Sequence, residues 1–437
     1  MPLHRKREKN LGVFELIAIA LGGMVGGGIF TILGIAVSKV GNLTPIAIIL
    51  GGVVALLAAY SYVKLGVYYK DEGATYSFFK RTFPNSKFYS ATLGWYIIFG
   101  YISTLALYAY TFSSYALSST EFSGDSWSQK LLAIVVIGVF AGINLWSVNG
   151  MGKIEDIMVY CKLVILVVIS VVLFQNSDTS ISNFWIETQE QANSNYILSV
   201  LIVASITFVA YEGFQLVINA VKEMKAPEKS IPRAIYSAIG LAIFIYVIIS
   251  IAALFAIPKA DIIINKEFAL AAGAGDVLGM FGANVVILGA ILATSSAISG
   301  TLFGSSRQMA VIAKDKYMPF WFSKHKNKIP VNAIIGMALL ACFLVLIGGL
   351  EIILEFGSVT FLLVSILMAY ANYKKRAKTN SSKFITLLAM FGLGTAGILI
   401  IYYEFLNNWK QMLAIISLYI ILSVAAWFFA KRKKSQT

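Results

Sequence analysis

Twelve apolar stretches of helical length follow one another along the chain, separated by short polar segments. A helix needs about 20 apolar residues to cross a bilayer, and these stretches are of that order. The pattern predicts an all-α integral membrane protein with twelve transmembrane helices. The predicted segments are residues 12–37, 43–68, 88–117, 131–149, 152–174, 195–221, 232–257, 279–313, 331–348, 351–373, 383–405 and 410–430.

Two of these segments, 88–117 and 279–313, are longer than a perpendicular span requires. We expect them to be strongly tilted or to extend beyond the bilayer. No long polar stretch separates two soluble domains, so the chain is predicted to form a single membrane domain over residues 1–437.

Lysine and arginine are concentrated in alternate connections. The clusters HRKREK, FFKRTF, VKEMKAPEKSIPR, KHKNK, KKRAK and KRKK fall on one side of the predicted topology. The positive-inside rule assigns that side to the cytoplasm, together with both terminal tails, 1–11 and 431–437. The opposite connections carry Lys39, Lys130, Lys259, Lys266 and Lys410.

The net charge of +14 is therefore mainly a topology signal in a cell membrane, with some attraction to anionic lipid, and does not indicate a nucleic acid partner. Composition agrees with a membrane protein, because 58% of the residues are hydrophobic and 13% are charged. Cys161 and Cys342 lie within apolar segments and are expected to be buried packing residues. No disulfide, metal site or cofactor is predicted.

The first segment contains the stretch GGMVGGGIF, with five glycines at Gly22, Gly23, Gly26, Gly27 and Gly28. Each glycine within a helix costs about 1 kcal/mol relative to alanine. One interpretation is close helix packing, because Gly22 with Gly26 and Gly23 with Gly27 form small-xxx-small pairs. The other is an unwound helix, which persists in a membrane only where protein or water surrounds the backbone.

The sixth segment is interrupted in a similar way. Tyr211, Glu212 and Gly213 place a carboxylate beside a glycine in an apolar helix. Paired discontinuous helices in two repeats are typical of transporters, and their free N–H groups face anionic substrate groups near the midplane. The match favours unwinding of both segments and predicts two five-helix halves, 12–174 and 195–373, followed by two further helices within 383–430.

Three motifs in order resemble the amino acid–polyamine–organocation transporters. They are GGMVGGGIF, then FVAYEGF with the following KEMKAPEKSIPRAI, then SSAISGTLFGSSRQMAVIAKDKYMP. The resemblance covers at least the first ten segments. It implies the LeuT-type fold, with two inverted five-helix repeats and two peripheral helices, and alternating access around a central site. It also implies a substrate with an amino group, usually an amino acid.

The resemblance further implies where the substrate binds. Its carboxylate would meet the N–H groups around Gly26, Gly27 and Gly28. Its ammonium would meet carbonyls near Met24 in the first segment and near Phe208, Val209 and Glu212 in the sixth, where Tyr211 and Gly213 flank Glu212. The family often has serine or threonine at the position of Gly27, so this chain lacks one hydroxyl donor there.

Lys162 is the charged residue deepest in the fifth segment, and an ionisable group at membrane depth is a functional candidate. Its side chain either extends back toward the surface or occupies an interior site. The resemblance implies that its ammonium takes the place of the sodium ion of sodium-coupled relatives, as in archaeal proton-coupled members. Ser295 and Ser296 match hydroxyl positions near that site, although both also suit helix–helix hydrogen bonds. We therefore predict proton coupling through Lys162.

Glu212 carries several open interpretations. It contacts the substrate's amino group or cationic side chain, or is a second protonation site, or is a protonated carboxyl within the helix break.

Other classes of membrane protein are disfavoured. A membrane enzyme would need a nucleophile–base pair or metal ligands at membrane depth, and the segments contain no histidine. A channel would need a filter loop or charge rings. Among carriers, proton symport and obligate amino acid or polyamine exchange both stay open, and no nucleotide-binding motif is present.

Overall fold

The computed structural model describes residues 11–71, 73–146, 151–177, 180–193, 196–326 and 329–434. The first ten residues of the predicted basic tail 1–11, and residues 435–437 of the tail 431–437, lie outside the described residues. The first ten helices are α1 (Val13–Met24), α2 (Gly27–Val40), α3 (Thr44–Tyr69), α4 (Ala74–Thr82), α5 (Lys87–Leu117), α6 (Ser126–Trp146), α7 (Met151–Gln175), α8 (Ile181–Asn193), α9 (Ile197–Thr207) and α10 (Leu216–Asn219). The remaining seven are α11 (Pro227–Ala256), α12 (Lys259–Ile264), α13 (Ala269–Lys314), α14 (Val331–Ile347), α15 (Leu350–Thr379), α16 (Lys383–Asn407) and α17 (Trp409–Lys434).

The described residues confirm an all-helical protein, since every regular element among them is a helix. Ten helical stretches in this part of the chain are long and apolar enough to cross a membrane, and Val13–Met24 and Val331–Ile347 are shorter apolar helices. The chain is thus a multi-pass membrane protein. The count of twelve spans stays a prediction.

Three helices in the connections were not predicted from the pattern: α4, α8 and α12. They are short, and the composition of α4 shows why a search for apolar segments does not find them. Its Tyr76, Phe78 and Phe79 are buried, while its last turn carries Lys80 and Arg81. Such mixed segments lack the continuous apolar run of a span.

The eighth segment also begins earlier than predicted. α13 starts at Ala269, and Gly279, the first residue of the predicted segment, interrupts it with φ of +66°. Only glycine adopts this left-handed backbone without strain, so the glycine separates an outer part from the span itself.

In the described part of the chain, α1 packs against α7, α10, α11 and α13. α5 packs against α13, α15 and α17. α16 and α17 lie at the periphery, where large apolar side chains such as Phe391 and Trp427 are exposed on the surface available to lipid. The prediction that Cys161 is buried is wrong. Its side chain is exposed on α7, because the helix turns that side outward and its neighbour Lys162 inward.

The two ends of the helix bundle differ. We call the end that carries Tyr69, Lys314 and Thr379 the basic face, and the end that carries Val40 and Leu117 the opposite face. On the basic face, α4 is tied to the end of α13, because Tyr76 Oη and Lys80 Nζ both donate to a carboxylate oxygen of Asp315. On the opposite face, α8 and the start of α12 are joined by the ion pair between Glu187 and Lys259.

Candidate functional site

The first predicted segment is broken at the glycine-rich stretch. α1 ends at Met24, Val25 and Gly26 leave the helical conformation, and α2 begins at Gly27. The first N–H groups of any helix have no partner inside it. In α2 these groups belong to Gly27, Gly28 and the residue that follows, and all three residues are buried. The break therefore provides donors and the positive end of a helix dipole inside the protein.

The last carbonyls of α1, which the break leaves without helical partners, are bound by side chains from three helices. Lys162 Nζ from α7 donates to Gly22 O at 2.9 Å. Tyr108 Oη from α5 donates to Gly23 O at 3.2 Å, and Tyr246 Oη from α11 donates to the carbonyl of the final residue, Met24, at 2.8 Å. These side chains therefore supply the hydrogen-bond donors that buried backbone carbonyls at the break require.

The sixth predicted segment is also broken. α9 ends at Thr207, residues 208–211 form one 3-10 turn, and Glu212 is extended with ψ of 140°. Gly213 follows with φ of +125°, a backbone conformation that residues other than glycine rarely adopt. Helical structure resumes at α10. Both interruptions predicted from the sequence are therefore present.

The two breaks are in direct contact. A Cβ placed on Gly213 would lie 2.5 Å from the carbonyl carbon of Gly23, so only glycine fits this approach. A Cβ on Gly28 would lie 3.1 Å from Cα of Ala210. Tyr246 Oη joins the breaks as well, because it donates toward both Met24 O and Ala210 O, the latter at 3.0 Å.

The other side of the first break faces α5 and α13. A Cβ on Gly26 would lie 2.8 Å from Cβ of Ala297 and 2.9 Å from the ring of Tyr108. A Cβ on Gly27 would lie 2.9 Å from Oγ1 of Thr111. The glycines therefore serve both interpretations offered by the sequence, because the helix is unwound and its neighbours also approach closely. Thr111 places a hydroxyl beside the position where a Gly27 side chain would begin.

Lys162 is fully buried on α7, so its side chain does not extend back toward the surface. Besides Gly22 O, its ammonium contacts Ser296 Oγ of α13 at 3.1 Å. This ammonium thus lies among α1, α7 and α13, the helices of the first, fifth and eighth segments. Ser295 is buried beside Ser296 on the same helix.

Glu212 is buried, with 3% of its surface exposed. Its Oε2 accepts a hydrogen bond of 2.7 Å from Gln215 Nε2, and its Oε1 has no protein hydrogen-bond partner. Gln215 also accepts from the N–H of Gly213 at 3.1 Å and approaches Tyr101 Oη at 3.4 Å. The carboxyl therefore has one oxygen held in place and one oxygen available to a donor from a bound molecule.

The predicted site residues are brought together to different extents. Met24, Gly26, Gly27 and Gly28 lie at the first break, and Phe208, Val209, Glu212 and Gly213 lie at the second. Tyr211 also lies at the second break, but its hydroxyl turns away and donates to Ile48 O of α3 at 2.8 Å. Its side chain fixes the break against α3, and only its backbone lies with the other residues.

Two residues that the sequence did not single out contribute to this site. Tyr246 joins the two breaks, and Gln215 orients Glu212. The available signal for Tyr246 was one tyrosine within the apolar run LAIFIYVIIS. A buried tyrosine hydroxyl needs a polar partner, so such a residue indicates a nearby backbone acceptor without identifying it.

Comparison with known proteins identifies a family and several relatives. The family model described as amino acid permease matches residues 11–437. Inner membrane transport protein YbaT of Escherichia coli is 30% identical over 318 residues, which cover 72% of each chain. An uncharacterized protein of Methanocaldococcus jannaschii is 25% identical over 414 residues, covering 95% of this chain and 94% of its own. Cationic amino acid transporter 7, chloroplastic, of Arabidopsis thaliana is 24% identical over 393 residues, covering 85% of this chain and 66% of its own.

Proposed function

Because the chain belongs to the amino acid permease family, we propose that it is a secondary active transporter that carries amino acids by alternating access and is driven by protons. One observation supports this most strongly. Two broken helices meet inside the membrane domain, and the buried ammonium of Lys162 binds the end of one of them. A site with helix N-terminal donors on one side and backbone carbonyls on another suits a zwitterion, which carries one charge of each sign.

The substrate carboxylate binds, in this proposal, around Gly26, Gly27 and Gly28 where α2 begins. The donors are the N–H groups of Gly27 and Gly28, because the N–H of Gly26 donates to Met24 O. The ammonium binds carbonyls near Met24 and near Phe208, Val209 and Glu212, beside Tyr211 and Gly213. Met24 O accepts from the N–H of Gly26 and from Tyr246 Oη, so a substrate ammonium that binds this oxygen replaces one of these two donors. The family description and the printed name of the plant relative support an amino acid as substrate.

Lys162 carries the coupling proton in this proposal, in place of a sodium ion. Protonated, its ammonium holds the end of α1 to α13 through Gly22 O and Ser296 Oγ, with Ser295 adjacent. The neutral amine is a weaker donor, so loss of the proton weakens the attachment of α1 to α13. A proton that binds in one conformation and leaves in the other couples transport to the proton gradient.

The finer architecture belongs to the same proposal. Twelve spans form the LeuT-type arrangement, with inverted repeats at residues 12–174 and 195–373 and peripheral helices within 383–430. The protein lies in the cytoplasmic membrane with both termini in the cytoplasm, so the basic face is the cytoplasmic one. The interruptions in the first and sixth segments, each the first of its repeat, support this arrangement.

Transport by the purified protein in liposomes tests the proposal. Uptake of a panel of labelled amino acids and polyamines is measured with an imposed pH gradient, with and without unlabelled substrate inside. Saturable, gradient-driven uptake into vesicles that contain no substrate supports proton symport. Uptake that occurs only when substrate is present inside identifies an obligate exchanger, and flux that does not saturate contradicts a carrier.

A further inference from the structure

A second buried acidic group lies outside the site described above, between α15 and α16. Glu355 and Glu404 are 2% and 1% exposed, and their carboxyl groups interact directly. Gln411 Nε2 from α17 donates to Glu355 Oε2 at 2.7 Å. Both oxygens of Glu404 are buried and have no protein donor. Two acceptors therefore face each other with no donor between them.

The charges around this pair do not balance two carboxylates. The charged groups that face it in the described chain are Lys39 from α2 and Glu351 from α15. Glu351 forms an ion pair with Lys266 at 2.6 Å, so these two charges offset each other. Lys39 donates to the hydroxyl of Tyr403. Among the described residues it is the one ammonium left to face the pair. One negative charge is compensated, and a second buried one would be costly.

We propose that Glu355 and Glu404 hold one exchangeable proton between them, which makes this pair a proton-binding site separate from Lys162. In the bound state one carboxyl is protonated and donates to the other, which supplies the missing donor. On release, that O–H bond breaks, the proton passes to water, and two carboxylates remain. A metal cation fits less well, because hard cations take six or more oxygen ligands. Here an amide N–H and a nearby ammonium face the pair instead.

The position of this site connects it to both broken helices. Ser358, one turn after Glu355 on α15, donates to Ile206 O near the end of α9 at 2.8 Å. The neighbouring Gly357 approaches Val209, with its Cβ position 3.5 Å from Cγ2 of that side chain. Lys39 lies in the last turn of α2, whose first turn is at the central site. Repulsion between two carboxylates would loosen α15 from α16, so the proton tightens this junction.

Infrared spectroscopy of the protein in liposomes tests the proposal without reference to transport. The carbonyl stretch of a protonated carboxyl is followed against pH in the wild type, Glu355→Gln, Glu404→Gln and the control Glu187→Gln, whose glutamate is exposed and paired with Lys259. We expect one protonated-carboxyl band of the wild type to be absent from both pair variants at neutral pH and retained in the control. Bands unchanged in both pair variants overturn the proposal.

Two further measurements keep the test decisive. Glu404→Asp retains a carboxyl in a new position, so it should shift the same band, and an unshifted band contradicts the shared proton even if a glutamine variant folds poorly. Loss of the wild-type band on addition of sodium chloride at fixed pH, with no loss on addition of choline chloride, would identify a metal cation site and also overturn the proposal. The proposal stands or falls separately from coupling through Lys162.

Discussion

The ammonium of Lys162 donates a 2.9 Å hydrogen bond to the carbonyl oxygen of Gly22, in the last turn of α1. In a continuous helix this carbonyl would accept from the N–H of Gly26, but that N–H donates to Met24 O instead. The break in the helix and the buried lysine are therefore parts of one arrangement. Removal of the lysine side chain is therefore expected to change the stability of the break, and a continuous helix would leave the lysine without this acceptor.

Tyr246 is expected to stabilise the contact between the two breaks. Tyr246→Phe removes the hydroxyl that donates toward Met24 O and Ala210 O. Ala210 O then loses this buried donor, while Met24 O keeps the N–H of Gly26. We expect a loss of about 1–3 kcal/mol in the free energy of unfolding, because unpaired buried acceptors cost about that much. Thermal unfolding of the detergent-solubilised protein measures it. Tyr236→Phe, at a more exposed position of the same helix, is the control and should unfold like the wild type.

Gly213 is expected to tolerate no side chain. Gly213→Ala introduces a Cβ 2.5 Å from the carbonyl carbon of Gly23 at a φ of +125°. The backbone conformation alone costs on the order of 1–2 kcal/mol for a residue with a Cβ. The contact adds to this and separates α1 from the second break.

We therefore predict a lower unfolding temperature and loss of substrate binding for Gly213→Ala. Gly240→Ala is the matched control, because its Cβ position within α11 has no atom within 4 Å. Alanine there favours the helix and should raise or preserve stability. Equal behaviour of the two variants would show that the breaks do not need their close contact.

Much of this site follows from local sequence features, and the rest does not. The glycines at 26–28 and the Tyr211–Gly213 interruption indicated both breaks, because polar or flexible residues in a membrane helix need a local reason. The family resemblance implied that Ser295 and Ser296 lie near the Lys162 ammonium, but it did not single out the contact with Ser296. The role of Tyr246 did not, because it depends on how α11 docks against two other helices. The outward position of Cys161 was likewise missed, since apolar composition does not distinguish a face toward lipid from a face toward protein.

Glu212 is expected to select among substrate side chains if its free oxygen faces them. Glu212→Gln keeps the shape and the contact with Gln215 but removes the charge. In that case binding of lysine or arginine weakens about tenfold or more, which corresponds to about 1.4 kcal/mol, while alanine binding changes little. Competition binding with labelled substrate measures both. Equal weakening for all substrates would contradict side-chain selection and favour a contact to the common amino group.

Glu267 on the opposite face should make stability depend on pH. Burial raises the pKa of its carboxyl above the ordinary value, although the Gln129 amide at 3.0 Å partly opposes this. Because the folded state holds the proton more tightly than the unfolded state, the free energy of unfolding rises as pH falls through the folded pKa.

Glu267→Gln removes this dependence while it keeps a polar group beside Gln129. The unfolding temperature of the variant minus that of the wild type should therefore increase as pH rises from acidic to neutral. Glu187→Gln is the contrasting variant, because hydrogen bonding to Lys259 lowers the pKa of that exposed glutamate. It should show no such increase, and a similar increase in both variants would refute the role of burial.

Coupling of transport to protons through Lys162 is measured by uptake driven by a pH gradient. Purified wild type, Lys162→Ala and the control Lys64→Ala, whose ammonium binds Asn380 O near the basic face, are compared in liposomes with and without the gradient. We predict that Lys162→Ala binds substrate but shows no stimulation by the gradient, while Lys64→Ala is stimulated like the wild type. Gradient-stimulated uptake by Lys162→Ala at the wild-type level would contradict it.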